Sequence, residues 1–192
     1  MAAPPDMRRA LLVALLFVLA GCGATPALPI VAPADVVSTP APTAITIPKI
    51  GASSTLVPLG LTPEGALQVP DVHTPLQAGW FDKGVAPGAI GPAVVVGHVD
   101  GEINGVKGQP GIFYRLHELA PGDQILIDRA DGSSLRFVVA AVESYDKSGF
   151  PTGKVYGDTK QPELRLITCH GMFDHAAHSY EQNLVVFATL TP

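Results

Sequence analysis

Two apolar runs in this chain end in side chains that can do chemistry. "GPAVVVGHVDG", Gly91 to Gly101, passes from valines into His98 and Asp100, and "LRLITCHG", Leu164 to Gly171, passes from aliphatic residues into Cys169 and His170. Cysteine and histidine far apart in sequence are the usual arrangement for a thiol nucleophile, because the fold brings them together. A free thiol, with a pKa of about 8.5, is mostly protonated at neutral pH; a neighbouring imidazolium stabilises the thiolate that attacks. The same ring can then protonate a leaving amine. A third group is needed at the oxyanion: an arginine, an asparagine or backbone N–H groups.

Each of these residues also has a plainer role open to it. A single cysteine at a strand end can pack as a small hydrophobe, and His98 can be a turn residue. Asp100 and Glu102 either pair with His98 or are simply solvated in their Gly-rich turn. "CHGMFDHAAH" gathers His170, Asp174, His175 and His178 as a metal cluster would, but without further thiols it suits a polar loop. No metal and no cofactor is expected.

The elements that must hold these residues are short strands. The chain has 192 residues, 20 Gly, 19 Pro and a charged fraction of 15%, which bounds it to one ordinary domain rich in turns. Apolar, β-branched segments bounded by Gly and Pro predict strands at Ala44 to Ile47, Ser54 to Pro58, Ala93 to Gly97, Gln124 to Arg129, Leu135 to Glu143, Leu164 to Thr168 and Leu184 to Leu190. Asp131-Gly132 predicts a hairpin. Only Gly111 to Leu119 could form a short helix or turn. The expected fold is all-β, a closed barrel or a sandwich.

The N-terminus reads as targeting rather than structure. Arg8 and Arg9 precede "ALLVALLFVLA", Ala10 to Ala20, an apolar run of signal-peptide length. It closes in "LAGC", which resembles a bacterial lipobox with Cys22 as the acylated first residue of the mature chain. A plain secretory signal or an uncleaved anchor are the alternatives. With Cys22 acylated, Cys169 is the only thiol left, in an oxidising compartment and with no partner. Residues 23–43, Ala/Pro/Val/Thr-rich and without period, form a linker that could hold the domain about 60 Å from the membrane if extended. The expected organisation is a signal peptide at 1–21, a lipid-attached linker at 22–43 and a catalytic domain at 44–192, on the extracytoplasmic face of the membrane. Losing Asp6, Arg8 and Arg9 makes a chain of net charge −5 one unit more negative, which argues against a nucleic-acid partner.

Taken together, these segments resemble the sortases, cysteine transpeptidases of Gram-positive cell surfaces. "VVVGHVDG" looks like the sortase histidine motif and "LITC" like its Thr-x-x-Cys-type strand. "AGWFDKGVAPGAIGPAVVVGHVDG", "GFPTGKVYGDTKQPELRLITC" and "SYEQNLVVFA" are similar to the actinobacterial class F subgroup, in the expected order over roughly Ala44 to Pro192. The resemblance implies an eight-stranded sortase-type β-barrel with short helices and turns, Cys169 as nucleophile and His98 as its acid/base partner. Its partners would be secreted proteins with a Leu-Pro-x-Thr-Gly-type C-terminal sorting signal, cleaved after Thr through a thioester, and a cell-wall precursor amine that accepts them. The connection Ser144 to Pro162 corresponds to the loop that shapes the sorting-signal groove, making Phe150, Pro151, Val155 and Tyr156, with Thr168, the expected substrate-binding residues.

The chain departs from the family pattern at two positions. Where most sortases carry an essential arginine at the start of the final strand, alignment on Ala188 puts Asn183, and no arginine follows Cys169. Asparagine gives neutral hydrogen bonds but no guanidinium charge. Arg165 is a rival, on the same strand face by period two but about 13 Å away. His170 stands where the subgroup pattern has Gly, beside the thiol. Two other functions remain open on the sequence. One is another cell-wall cysteine peptidase or transpeptidase, although L,D-transpeptidases place His and Gly before the cysteine, where Thr168 stands here. The other is a degenerate sortase-like lipoprotein that binds without turnover.

Overall fold

The computed structural model describes residues 39–191. The expected signal segment, Cys22 and the linker up to residue 38 lie outside the described residues. Ten strands are formed: β1 Pro42–Ile47, β2 Ala52–Leu59, β3 Ala78–Phe81, β4 Gly91–Gly97, β5 Asp100–Ile103, β6 Val106–Pro110, β7 Gln124–Arg129, β8 Ser134–Asp146, β9 Pro162–Asp174 and β10 Ser179–Leu190. Eight of them close a barrel in the order β1-β2-β3-β4-β9-β10-β8-β7, while β5 and β6 make a separate two-stranded sheet. The all-β expectation therefore resolves to the closed barrel. Among the described residues no helix is long and apolar enough to cross a membrane.

Each strand read from the sequence is present, and the structure adds three. β3 is only "AGWF" and pairs in parallel with β2, too short to show a period. The β5–β6 hairpin is mostly polar and exposed, so it carries no apolar alternation. Its turn was nonetheless written in the sequence as Asn104-Gly105, whose φ values of 51° and 79° are those of a hairpin turn with both central residues left-handed. Asp131-Gly132 joins β7 to β8 as expected, with Gly132 at φ 81°.

β4 is buried along its whole length, because both faces of its sheet are covered. Ala93, Val95, Leu164, Leu166, Leu184 and Val186 point into the barrel core around Phe113 and Phe137. The alternate residues Val94, Val96, Ile167, Val185 and Phe187 form a second apolar cluster on the outer face. That face is roofed by the β8–β9 connection, whose short helix α1, Thr152–Tyr156, inserts the fully buried Val155. Lys154 clamps the helix to β8 by donating to Glu143 at 2.6 Å, which with Tyr145 holds the Glu143 carboxyl below its ordinary value. At about 1.5–3 kcal/mol per buried aliphatic side chain, this second cluster fixes the roof over the strands that carry Cys169 and His98.

Candidate active site

The register of three neighbouring strands assembles the site. β4 and β9 run parallel and pair Val96 with Ile167; two residues further on, His98 comes level with Cys169. On the other side of β9, the antiparallel partner of Cys169 is Asn183 of β10. The side-chain period of two puts all three on the outer face, at the end of the strip formed by Val96, Ile167 and Val185. His98, Cys169 and Asn183 line one cleft of about 350 Å³.

Backbone contacts around His98 fix where its ring can go. Gly111 N donates to Val99 O at 2.8 Å and Phe113 N donates to His98 O at 3.0 Å. Gly111 has no Cβ for a steric reason: one built there would lie 2.3 Å from His98 O. His98 Nε2 lies 2.7 Å from the carbonyl oxygen of Pro70. A carbonyl only accepts, so Nε2 carries the proton and Nδ1 is left to take up and release another.

Cys169 is a half-buried free thiol. The Lys147 ammonium, just beyond the end of β8, lies 3.6 Å from its Sγ and donates to Ser179 Oγ at 2.7 Å. Nearby, the Tyr180 hydroxyl donates to Asp100 Oδ2 at 2.6 Å. Burial, then the Asp100 carboxylate and Cys169, push that phenol well above its ordinary value. Tyr180 lies in the "SYEQNLVVFA" stretch and Lys147 in the Ser144 to Pro162 connection, but only the closing of the barrel brings them to Cys169.

The expected substrate-binding residues divide. Tyr156 and Thr168 line the cleft; burial pushes the Tyr156 phenol up. Thr168 is buried and its Oγ1 finds no partner among the described residues. Val155 lies beneath the wall rather than in it, fully buried in the second cluster. Phe150 packs edge-on to Tyr145 and beside Tyr156, and Pro151 accepts from Lys154 N and Val155 N at the start of α1; neither lines the cleft. The opposite wall, which the sequence did not mark, is the β2–β3 connection with Leu67, Val69 and Val72.

Arg165 shares the outer face with Cys169 but sits outside the cleft. It is buried, donates to Glu163 at 2.7 Å and stacks on Phe187 at 4.6 Å. His170 points to the other face of β9, where its ring meets that of His117 at 6.3 Å, so it does not crowd the thiol. Among the described residues no group of three His, Cys, Asp or Glu side chains is placed to hold a metal ion.

A second groove of about 860 Å³ begins where the cleft ends, sharing Asp100, Phe173 and Tyr180 and running on to Glu102 and Lys107 of the β5–β6 hairpin.

Fold and site together define a class: a closed β-barrel with cysteine, histidine and asparagine in one row across three strands, at the mouth of an apolar cleft. The sortase domain model matches residues 45–191, and the chain belongs to the sortase family. The fold is that of solved sortases. Sortase A from Corynebacterium diphtheriae, in a lid mutant, superposes with a TM-score of 0.58 at 21% identity, over 80% of this chain and 71% of that one. Sortase C-1 from Actinomyces oris gives 0.57 at 20% identity, over 78% and 73%. Group B Streptococcus Pilus Island 1 sortase C2 gives 0.56 at 16%, also over 78% and 73%. None of the curated proteins matches the chain.

Proposed function

We propose that this protein is a sortase-type cysteine transpeptidase, exported and held by an acylated Cys22 at the extracytoplasmic face of the membrane. It cleaves a Leu-Pro-x-Thr-Gly-type signal near the C-terminus of a secreted protein and transfers that protein to a cell-wall amine. The observation that carries this reading is the row His98, Cys169, Asn183 beside an apolar cleft. The walls that rise from the cleft, Val69, Val72 and Tyr156, are exposed apolar surface, suited to an extended peptide with an apolar residue upstream of the scissile bond.

In this mechanism the Cys169 thiolate attacks the Thr carbonyl carbon, and the C=O π pair moves to oxygen. Asn183, across the strand pair, donates a hydrogen bond to that oxygen. As the tetrahedral species collapses, the C–N bond breaks and the departing amine takes a proton from His98. The acceptor amine enters from the Asp100/Tyr180 end, along the second groove, loses a proton to His98 and resolves the thioester.

The test is incubation of the full chain with Leu-Pro-x-Thr-Gly peptides and intact-mass detection. A thioacyl adduct that is absent from Cys169→Ala supports the reading. No adduct with any signal, from a folded protein, overturns it in favour of a binding module. Mass measurement of the membrane-extracted N-terminal peptide checks the diacylglyceryl group on Cys22.

A further inference from the structure

Lys147 is unlike the other cations near the site. Lys154 is neutralised by Glu143 and Arg165 by Glu163, whereas Lys147 forms no ion pair among the described residues. Its neighbour Asp146 is occupied by Gln182 Nε2 at 2.8 Å. The Lys147 ammonium instead donates to Ser179 Oγ at 2.7 Å and lies 3.6 Å from Cys169 Sγ. The backbone makes this reach possible. Tyr145 of β8 pairs with Asn183 of β10, and Asn183 pairs with Cys169 of β9, so a long side chain two residues past Tyr145 can cross β10 to the thiol. Ser179, at the start of β10, holds the ammonium there.

We propose that Lys147 is a catalytic residue: its ammonium is the counter-ion of the Cys169 thiolate and, after attack, of the substrate oxyanion. The proposal deepens the sortase-type reading and rests on it for the oxyanion step. Asn183 and Lys147 divide one task, the neutral hydrogen bond coming from the strand opposite and the positive charge from beyond the end of β8. Once the thiolate forms, its electron pair faces the ammonium. When that pair forms the S–C bond, the negative charge moves to the carbonyl oxygen, one bond beyond the reacting carbon. The flexible four-carbon stem lets Nζ follow it. Lys147 keeps its protons throughout; those that move belong to His98 and the two amines. The other titratable groups that line the cleft are His98 just past the end of β4, Asp100 bound to Tyr180, Tyr156 from α1, and His178 at the hairpin end.

The experiment compares the full chain with Lys147→Met and Lys147→Arg in two assays, iodoacetamide alkylation of Cys169 and turnover of a Leu-Pro-x-Thr-Gly peptide. Loss of a partly exposed charge contact predicts alkylation about 3- to 10-fold slower in Lys147→Met at neutral pH. Lys147→Arg stays within about 2-fold of wild type, and 1 M salt slows wild type toward the Met variant. In turnover, kcat falls about 10- to 100-fold in Lys147→Met with KM little changed. Lys147 is exposed, so the melting temperature should hold. Equal alkylation and turnover in wild type and Lys147→Met overturn the proposal, as does equal slowing by Met and Arg. If no peptide reacts even with wild type while alkylation still depends on Lys147, the thiolate pairing stands and the transpeptidase reading fails.

Discussion

The Tyr180 hydroxyl donates to Asp100 across 80 residues of sequence. Tyr180 lies at the start of the strand paired with the cysteine strand, and Asp100 follows His98 by two residues, so this one bond fastens the hairpin that carries Cys169 to the turn that carries His98. Tyr180→Phe removes the donor and leaves a partly buried carboxylate unpaired, costing about 1.5–3 kcal/mol. For a domain of this size that is about 3–12 °C in Tm. The phenol is pushed up in the folded state, above an unfolded value of about 10. Its contribution is therefore complete below about pH 10 and is lost as pH rises through the folded value. Melting curves should show a constant gap between wild type and Tyr180→Phe from pH 7 to 9 that closes at higher pH.

Asn183 faces Cys169 directly in the strand ladder, which makes its charge state testable without a substrate. Asn183→Asp is nearly isosteric and sets a carboxylate against the thiolate. Alkylation of Cys169 should slow about 10-fold at neutral pH, while Asn183→Ala should alkylate close to the wild-type rate. In peptide turnover the proposed mechanism changes the order: there Asn183 is a donor to the oxyanion, and Asn183→Ala should fall about 100-fold in kcat. Alkylation and steady-state kinetics on the same three proteins separate the two effects.

Gly111 tests whether the backbone behind His98 sets its position. A Cβ at residue 111 would meet the His98 carbonyl oxygen at 2.3 Å, and this is backbone that cannot swing away. Gly111→Ala should cost about 1–3 kcal/mol in stability and lower kcat by a larger factor than it raises KM. Gly153 is the control. Nothing lies within 4 Å of a Cβ there, and it sits in α1. Gly153→Ala should therefore be neutral or stabilise by up to about 1 kcal/mol. Thermal melts of both variants, with turnover, decide it.

What the sequence made legible follows from what each element is built of. β4 and β9 announce themselves as continuous aliphatic runs because both faces of their sheet are covered, by the barrel core and by the second cluster. The apolar runs stop at His98 and Cys169, so those two residues could be read directly, but only His98 follows a strand end: β9 continues past Cys169 to Asp174, paired with β10. β3, with four residues, and the polar β5–β6 hairpin offer no apolar period. The Asn104-Gly105 turn was visible and is the one local signal that could have revealed the hairpin. The approach of Lys147 and Tyr180 to Cys169 was not readable, although both lie in stretches the sequence marked: a lysine in a polar turn becomes a neighbour of Cys169 only through the β8–β10–β9 register. Val155 looked like groove wall because it is apolar and in the right loop. Which side of a one-turn helix faces down depends on the cluster beneath it.

Thr168 separates stability from function most sharply. It precedes Cys169 on β9 and lines the cleft, yet its Oγ1 is buried without a partner among the described residues. A buried hydroxyl left unpaired costs about 1–3 kcal/mol, and valine has nearly the same shape without it. If the hydroxyl serves nothing in the resting protein, Thr168→Val should raise the Tm by about 2–4 °C for each kcal/mol relieved. If the hydroxyl is kept for a hydrogen bond made when the sorting signal seats beside Cys169, the stabilised variant should also lose turnover, about 5- to 10-fold in kcat/KM, for one hydrogen bond of about 1 kcal/mol. Thr168→Ser, which keeps the hydroxyl, should retain turnover while losing a methyl group's packing. A variant more stable and equally active would assign the hydroxyl to strand chemistry alone, and a less stable Thr168→Val would mean that Oγ1 is bonded to water in solution.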